Sequence, residues 1–381
     1  MTDKKTILFF SGYFLPFLGG IERYTDKLTS ELVKLGYDII IVTTNHDQLP
    51  NFEIDNGRKI YRFPSKNQFK QRYPILDKNS EYHELYQKLL AENADYVICN
   101  TRFQLTTLLG LKYANAKGLP SIVLDHGSSH FTVDNKVLDV FGAIYEHLLT
   151  GLVKSYHPQF FAVSERSSNW LKHFSINSSG VIYNSVPDDL ANQFKGASYL
   201  SKNDQEIYIT YAGRILKEKG VAMLVEAFSE ANFPKDIHLQ IAGDGPLLEE
   251  LVAENKNGNI HYLGKLNFQE TMSLMAQSDI FVYPSMYPEG LPTSILEAGL
   301  LGTAVIATDR GGTTEVITND QLGIIIEENK DSLKDALQIL VQDDTRRENL
   351  QKSIQERIQS TFVWSVTAKK LEVVLFGNDR L

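Results

Sequence analysis

Short apolar runs alternate along the chain with longer segments of helical period. Most runs are continuously apolar, as is typical of parallel strands covered on both faces. The predicted strands are Thr6–Phe10, Asp38–Thr43, Lys59–Phe63, Tyr96–Cys99, Ser121–Asp125, Gln159–Val163, Gly180–Tyr183, Glu206–Tyr211, His238–Ile241, Asn259–Tyr262, Ile280–Tyr283, Ala304–Ala307 and Gly323–Ile326. The predicted helices are Ile21–Leu35, Ser80–Glu92, Phe103–Ala116, Ser167–His173, Gly220–Glu230, Pro246–Asn255, Phe268–Ala276, Thr293–Leu301, Lys330–Ser360 and Trp364–Phe376. This order predicts an α/β protein with two doubly wound domains.

A polar, turn-rich stretch between residues 186 and 205 predicts the domain boundary. We expect one domain at residues 1–190 and a second at residues 191–363, with residues 364–381 packing back onto the first. In open α/β sheets, ligands bind outside the carboxyl ends of the strands. Two facing domains would therefore line a shared cleft with their strand-to-helix loops.

The strongest chemical signal is the segment Pro288–Ala298, which follows a predicted strand. Gly290 and Pro292 open a helix there, and Pro292 suits the first helical position. The unpaired N–H groups and positive dipole end of a helix start favour a phosphate.

Two carboxylates in that segment, Glu289 in the loop and Glu297 about two turns later, are spaced to point into one site. A second interpretation stays open, because Ser294–Glu297 also matches a capping box in which the glutamate closes back on the helix start. Glu289 fits a solvated loop carboxylate equally well.

Two cations, Arg214 and Lys219, flank the loop that follows the predicted strand Glu206–Tyr211. A forked guanidinium and a compact ammonium together suit a diphosphate. The alternative is that both merely solvate a surface loop.

Weaker signals follow other strands. Gly19 and Gly20 permit a close backbone approach to a ligand, although a glycine pair also serves in plain turns. His126 directly follows Ser121–Asp125 and is expected on the first domain's side of the cleft, while a lone histidine is more often structural. Gly311–Glu315 adds a glycine-rich loop with a carboxylate.

The composition of the chain argues against several classes of protein. Lys plus Arg number 38 against 47 Asp plus Glu, and the net charge of −9 argues against general nucleic-acid binding. The single cysteine, Cys99, excludes an internal disulfide, and its apolar neighbours predict burial. The apolar stretch Phe141–Val153 is too short to span a bilayer, and the N-terminus lacks a cleavage pattern, so we expect a cytoplasmic protein.

With these residues, the sequence resembles retaining glycosyltransferase family 4, which has the GT-B fold of two Rossmann-like domains facing a central cleft. The resemblance covers almost the whole chain and is densest from Ala212 to Glu315. Glu289 and Glu297 match the two glutamates of that family, and Arg214 and Lys219 match its diphosphate-binding pair. A departure is Asn184–Pro187, where the family often has Asn-Gly-Val-Asp.

The resemblance implies a role for each matched residue. Glu297 would hold the ribose, Glu289 would hold the donor sugar with backbone N–H groups, and Leu266 would lie near the base. The implied catalytic residues are His126, Arg214, Lys219 and Glu289. The implied donor-binding residues are Gly19, Gly20, Arg214, Lys219, Leu266, Glu289, Gly290, Leu291 and Glu297.

The implied reaction transfers a sugar from a nucleoside diphosphate sugar, a UDP-sugar, to an acceptor hydroxyl with retention of the anomeric configuration. The acceptor would be a glycan, a lipid-linked glycan or a protein, in cell-surface polysaccharide or glycoconjugate synthesis. Because the chain has no D-x-D triplet, we expect no metal and no other cofactor. Two rivals are a nucleotide-sugar epimerase and a catalytically silent homologue that acts as a binding partner.

The segment Arg58–Pro74 interleaves basic and aromatic residues without a single carboxylate. Such a mixture favours an anionic membrane surface. We therefore expect peripheral contact with the inner face of the cell membrane, the alternative being a solvated basic loop.

Overall fold

The computed structural model describes residues 4–68, 73–130, 136–203, 205–287 and 290–377. The chain divides into two compact units: Met1–Asn184 with Thr367–Leu381, and Ser185–Val366. The boundary therefore lies after Asn184 rather than at the expected residue 190. The last helix joins the first unit at Thr367, three residues later than expected.

The first unit is built from these strands: β1 (Thr6–Phe10), β2 (Asp38–Asn45), β3 (Phe52–Asp55), β4 (Arg58–Gln68), β5 (Tyr73–Leu76), β6 (Tyr96–Asn100), β7 (Ser121–Asp125) and β8 (Gln159–Ala162). Its helices are α1 (Gly20–Lys34), α2 (Ser80–Ala91), α3 (Leu105–Lys117), α4 (Lys136–Lys154) and α5 (Glu165–Leu171), and a 3₁₀ turn follows at Lys172–Phe174.

The sheet of this unit runs in the order β3-β4-β2-β1-β6-β7-β8, and the stretch from β4 to β8 is parallel. The chain reverses its direction of travel across the sheet between β1 and β6, which is the switch point of a doubly wound fold. The pattern missed β3 and β5, because each is a four-residue strand that pairs antiparallel with β4. The predicted strand Gly180–Tyr183 is an isolated bridge between Ala162 and Val181.

The second unit contains α6 (Leu190–Gln193), β9 (Ile207–Ala212), a 3₁₀ turn (Lys217–Lys219), α7 (Val221–Ala231), β10 (Ile237–Ala242), α8 (Leu248–Glu254), β11 (Ile260–Gly264), α9 (Phe268–Ala276), β12 (Ile280–Tyr283), α10 (Thr293–Leu300), β13 (Ala304–Thr308), α11 (Thr313–Val316), β14 (Ile324–Ile326), α12 (Lys330–Gln342) and α13 (Asp344–Thr361). Helix α14 (Trp364–Phe376) begins here and continues in the first unit.

All strands of the second sheet are parallel, in the order β11-β10-β9-β12-β13-β14. This is the order of a doubly wound sheet, with its switch point between β9 and β12. The single helix predicted at Lys330–Ser360 is two helices, because the backbone leaves the helical region at Asp343. The Asp343 carboxylate accepts the backbone N–H of Arg346 at 2.9 Å and caps α13.

The apolar strands are buried on both faces, as their continuous pattern predicts. Ile7 to Phe10 of β1 are fully buried, and Ile280 to Val282 of β12 are buried equally deeply. Cys99 lies in the core of the first unit, which confirms the sequence prediction, and burial raises the pKa of its thiol. Within the described residues, no helix is both long enough and apolar enough to cross a membrane.

The described part of the basic segment Arg58–Pro74 has two buried arginines, while the side chains of Lys59 and Lys66 reach solvent. Arg58 and Arg62 lie on β4 with only 1% and 3% of their surface exposed. Ion pairs neutralise the described bases: Arg58 with Asp26 and Asp55 at 2.8 Å each, Arg62 with Glu53 at 2.6 Å, Lys59 with Glu92 at 2.7 Å, and Lys66 with Asp77 at 3.6 Å. The aromatic residues Tyr61, Phe63 and Tyr73 are buried. The described bases Arg58, Lys59 and Arg62 are thus paired within the fold, and the membrane contact of this segment stays a prediction, because Phe69, Lys70 and Arg72 lie outside the described residues.

Candidate functional site

The second unit opens a crevice at its switch point. β9 pairs with β10 along its whole length, from Ile207 to Ala212, but pairs with β12 only at Ile209 and Thr210. Beyond Thr210 the two strands separate, and the loops that follow them meet where the Met286 N–H donates to the Glu218 carbonyl at 2.9 Å. This is the place where ligands bind in sheets of this order.

A pocket of about 470 Å³ lies at this end of the sheet. It brings together three residues that the sequence analysis selected: Arg214 from the loop after β9, Leu266 from the loop after β11, and Glu297 from α10. The pocket is also lined by Ala212, Gly213, Ala242, Gly243, Asp244, Lys265, Thr271, Met275 and Ser294. A cation and a carboxylate that line one pocket match an anionic ligand that also carries hydroxyl groups.

Lys219 ends the 3₁₀ turn that follows Arg214 along the same loop. Desolvation lowers the pKa of its ammonium, and the positive charge of Arg214 lowers that pKa further. Its Nζ also lies 5.4 Å from the centre of the Tyr287 ring. Two cations that repel each other in a partly desolvated loop favour the binding of an anion between them.

Two glycines let the backbone of these loops approach closely. Gly243, after β10, has φ of +147°, and a Cβ there would meet the Gly213 carbonyl oxygen at 1.8 Å. Gly220, after Lys219, has φ of +71°, and a Cβ would meet the Pro284 carbonyl oxygen at 2.0 Å. Any side chain at either position would push apart the strand-end loops that form the pocket.

The structure excludes the capping-box interpretation of Glu297. Helix α10 begins at Thr293, its N-cap is Pro292, and it has no side-chain cap, so Glu297 lies past the first turn. Pro292 is thus the N-cap residue, one position before the first helical position that the sequence predicted for it. The loop before the helix is fixed by the Gly312 N–H, which donates to the Gly290 carbonyl at 2.8 Å, and Leu291 is buried there. Glu289 lies outside the described residues.

In the first unit, His126 follows β7 and interacts with residues from the neighbouring β6 and α1. Its Nε2 lies 3.0 Å from Oδ1 of Asn100, whose amide in turn donates to Thr25 at 2.8 Å. The Tyr24 ring meets the His126 ring edge to face at 4.9 Å. Burial lowers the pKa of His126 to about 3, and the residue as a whole is partly exposed. The imidazole is therefore neutral, donates from Nε2 to Asn100, and keeps the lone pair on Nδ1.

Gly19 and Gly20 start α1, with Gly19 as its N-cap. The Glu22 carboxylate accepts backbone hydrogen bonds at this helix start, from Gly19 and from its own N–H, which lower its pKa, but desolvation dominates and raises the pKa overall. A Cβ on Gly19 would come within 2.3 Å of Glu22 Oε2. The Glu22 carboxylate thus occupies the start of this helix, beside the two glycines for which the sequence predicts a close backbone approach to a ligand.

Sequence reasoning missed two polar residues at these sites. Lys265 lines the pocket and lies directly after β11, so its position at a strand end was the signal that could have identified it. Asn100 is the last residue of β6, and nothing in the sequence links it to His126, since the two meet only across the sheet.

Comparison with known families then identifies the chain. The sequence model for "Glycosyltransferase Family 4" matches residues 18–190, and that for "Glycosyl transferases group 1" matches residues 197–357. The chain belongs to the GT4-like glycosyltransferases. Their GT-B fold agrees with the two Rossmann-like units described above.

Individual relatives of this glycosyltransferase are distant but extend over most of its length. An uncharacterized glycosyltransferase of Methanocaldococcus jannaschii is 26% identical over 97% of this chain and 98% of its own. The GPI3 subunit of the Saccharomyces cerevisiae phosphatidylinositol N-acetylglucosaminyltransferase is 23% identical over 81% of this chain and 69% of its own.

Solved structures share the fold of this glycosyltransferase. Sucrose-phosphate synthase from Thermosynechococcus elongatus has a TM-score of 0.71 at 18% identity, covering 97% of this chain and 98% of its own. Anabaena HepE in complex with UDP has a TM-score of 0.69 at 16% identity, covering 98% and 99%.

Proposed function

We propose that this glycosyltransferase moves a sugar from a UDP-sugar to an acceptor hydroxyl and retains the anomeric configuration. The observation that carries the proposal is the pocket at the β9–β12 switch point, where Arg214 and Glu297 line one cavity. The complex of Anabaena HepE with UDP, a protein of the same fold, supports the choice of nucleotide.

In this proposal, the nucleoside diphosphate occupies the second unit. Glu297 accepts hydrogen bonds from the ribose hydroxyls, and Leu266 packs near the base. Arg214 and Lys219 bind the diphosphate, whose negative charge grows as the bond to the sugar breaks. Preorganised cations that meet this growing charge lower the barrier without reorganising at the moment of reaction.

The loop before α10 completes the donor site. The N–H groups of Gly290 and Leu291 point to the sugar and its adjacent phosphate, and Glu289 holds the sugar hydroxyls. Because cationic side chains and N–H groups neutralise the diphosphate, we propose that transfer needs no metal ion.

His126, neutral at physiological pH, accepts a hydrogen bond from the sugar or the acceptor through Nδ1. A role for Gly19 and Gly20 would be limited to close backbone approach, because Glu22 occupies the helix start.

For the acceptor, we propose a lipid-linked glycan met at a membrane surface, in polysaccharide or glycoconjugate synthesis. The support is an apolar stripe on α4, consisting of Val140, Phe141, Ile144, Leu148 and Leu152, whose side chains are 53–67% exposed. These positions follow a helical period and form one face, the arrangement of a helix that lies in a bilayer interface. One relative is named for transfer to phosphatidylinositol, a lipid.

The deciding experiment incubates the protein with a panel of nucleotide sugars and membrane lipid extract, and measures nucleoside diphosphate release and glycolipid formation. We expect release from a UDP-sugar, undiminished by a strong chelator. The coupling constant of the anomeric proton in the product reports retention. No turnover with any UDP-sugar would exclude the proposed donor, and loss of activity on chelation that Mg²⁺ or Mn²⁺ restores would exclude metal-free transfer.

A further inference from the structure

Three histidines from separate segments of the first unit converge at one place outside the donor pocket. His130 follows the loop after β7, His147 lies on α4, and His173 lies in the 3₁₀ turn after α5. One ring nitrogen from each lies within 4.8 Å of those of the other two. Nε2 of His147 and Nε2 of His173 are 3.2 Å apart.

These distances suit a shared metal ion. Zinc binds imidazole nitrogen at about 2.0–2.1 Å in a tetrahedral arrangement, so two ligand nitrogens are then about 3.3 Å apart. The His147–His173 pair already has this separation. The third nitrogen has to move by at most about 1.5 Å to complete three corners of the tetrahedron. Solvent reaches His147 and His173, which gives an ion its route of entry and leaves the fourth position to water.

The surroundings fix both the tautomer and the orientation of the rings. Nδ1 of His130 is 2.9 Å from Oε2 of the buried Glu146, so Nδ1–H donates to the carboxylate and Nε2 carries the lone pair. Ligand histidines in metal sites characteristically make this second bond to a carboxylate. The Trp170 ring stacks on His173, with centres 4.7 Å apart and planes 5° from parallel.

The carboxylate that contacts His130 is itself fixed by a buried ion pair. Glu146 and Asp125 are buried and share one guanidinium, that of Arg102, at 3.0 Å and 2.9 Å. Arg102 therefore holds in place the carboxylate that orients the His130 ring.

We propose that His130, His147 and His173 form a site for a divalent transition-metal ion, with Zn²⁺ as its fitting occupant, that ties α4 to the segment around the 3₁₀ turn. This site is separate from the donor pocket, so it does not conflict with metal-free sugar transfer. Its role is structural: binding to the folded state alone stabilises the first unit.

The test uses untagged, full-length protein stripped with a chelator. Zn²⁺ titration calorimetry should give one ion per chain, and a 100-fold excess over the dissociation constant should raise the melting temperature by roughly 5 °C. Co²⁺ should bind at the same site, quench Trp170 fluorescence and develop the visible absorption of a tetrahedral centre. Zn²⁺ should then displace it.

His147→Gln and His173→Gln change exposed side chains, so both variants should fold, and each should weaken Zn²⁺ binding at least about tenfold. A matched control is His238→Gln, which removes one histidine of another close pair, His238 with His261 at 3.1 Å in the second unit. The His238→Gln variant should bind Zn²⁺ as tightly as the wild type does. If wild-type protein binds Zn²⁺ no more tightly than the His147→Gln/His173→Gln double variant, the pair is only an N–H···N hydrogen bond and the proposal is wrong.

Discussion

Arg214 and Lys219 are two cations on one loop of the second unit, and the positive charge of Arg214 lowers the pKa of Lys219. Each makes a charge-assisted contact worth about 1.5–3 kcal/mol in the proposed donor complex. Arg214→Ala and Lys219→Ala should therefore each reduce kcat/KM for the donor at least about tenfold. Their melting temperatures should stay close to that of the wild type.

The matched control for that experiment is Lys217→Ala, which removes an exposed cation from the same 3₁₀ turn. It should leave kcat/KM unchanged. Equal losses in all three variants would indicate a general effect of charge rather than a diphosphate site.

Glu297 lies past the first turn of α10, where it lines the pocket and caps no helix. Glu297→Gln should raise the donor KM roughly tenfold, because a charged acceptor is lost to the ribose, and should barely change the melting temperature. Glu270→Gln is the control, since Glu270 completes a true capping box with Asn267 on α9. A normal donor KM in Glu297→Gln would contradict the ribose role.

Because the His126 ring is buried with a lowered pKa, the free energy of unfolding should fall at low pH. Its folded pKa of about 3 is below the ordinary value of 6.5, so between these values the unfolded chain binds a proton that the folded one does not. Above pH 6.5 the ring is neutral in both states and does not lower the free energy of unfolding. Below pH 6.5 the free energy of unfolding falls as the pH falls towards 3, and the loss at pH 5 is about 2 kcal/mol. Melting temperatures across this range should drop less steeply for His126→Gln than for wild type, while the exposed-residue variant His83→Gln keeps the wild-type slope. Identical slopes for His126→Gln and wild type would show that the ring is protonated normally.

At the scale of elements, α4 presents one face to the core and the opposite face to solvent. Glu146, Leu149, Thr150 and Val153 are buried, while the apolar stripe that includes Phe141 and Leu148 is exposed. Burying each such side chain in a bilayer contributes about 1.5–3 kcal/mol. The variant Phe141→Ser/Leu148→Ser should therefore bind liposomes at least about tenfold more weakly in co-sedimentation.

The control for the stripe is Ile54→Ser, which removes an equally exposed apolar side chain from β3. It should bind like wild type. If the stripe variant also binds like wild type, α4 does not contact the membrane.

At the scale of the whole molecule, charge does not favour an anionic membrane. The net charge is −9, and the described bases of the segment Arg58–Pro74 are neutralised by carboxylates. Apolar contact should dominate membrane binding. Binding should then be similar on zwitterionic and anionic vesicles and should persist at roughly 1 M NaCl, where the Debye length is about 3 Å. Binding only to anionic vesicles at low salt would reassign the contact to unpaired basic residues.

The sequence by itself determined the parallel strands of the two sheets and the strand ends where candidate site residues lie. Continuous apolar runs that alternate with helices are typical of strands covered on both faces in a parallel sheet, and such strands have their carboxyl ends at a common edge. For that reason, Arg214 and Glu297 could be selected from their positions after strands, although they are far apart in the chain, whereas Leu266 came only from the family resemblance.

Only the tertiary structure decided which charges meet. Arg58 and Arg62 read as a cationic patch because their partners Asp26 and Glu53 lie on other elements, and a sequence does not show which strand a carboxylate will face. The sequence did not predict the pairing of His126 with Asn100 or the convergence of the three histidines around α4, because these residues also lie on different elements. Local patterns determine periodicity and burial, whereas ion pairs, tautomers and metal geometry depend on distances of a few ångströms between segments that only the folded chain brings together.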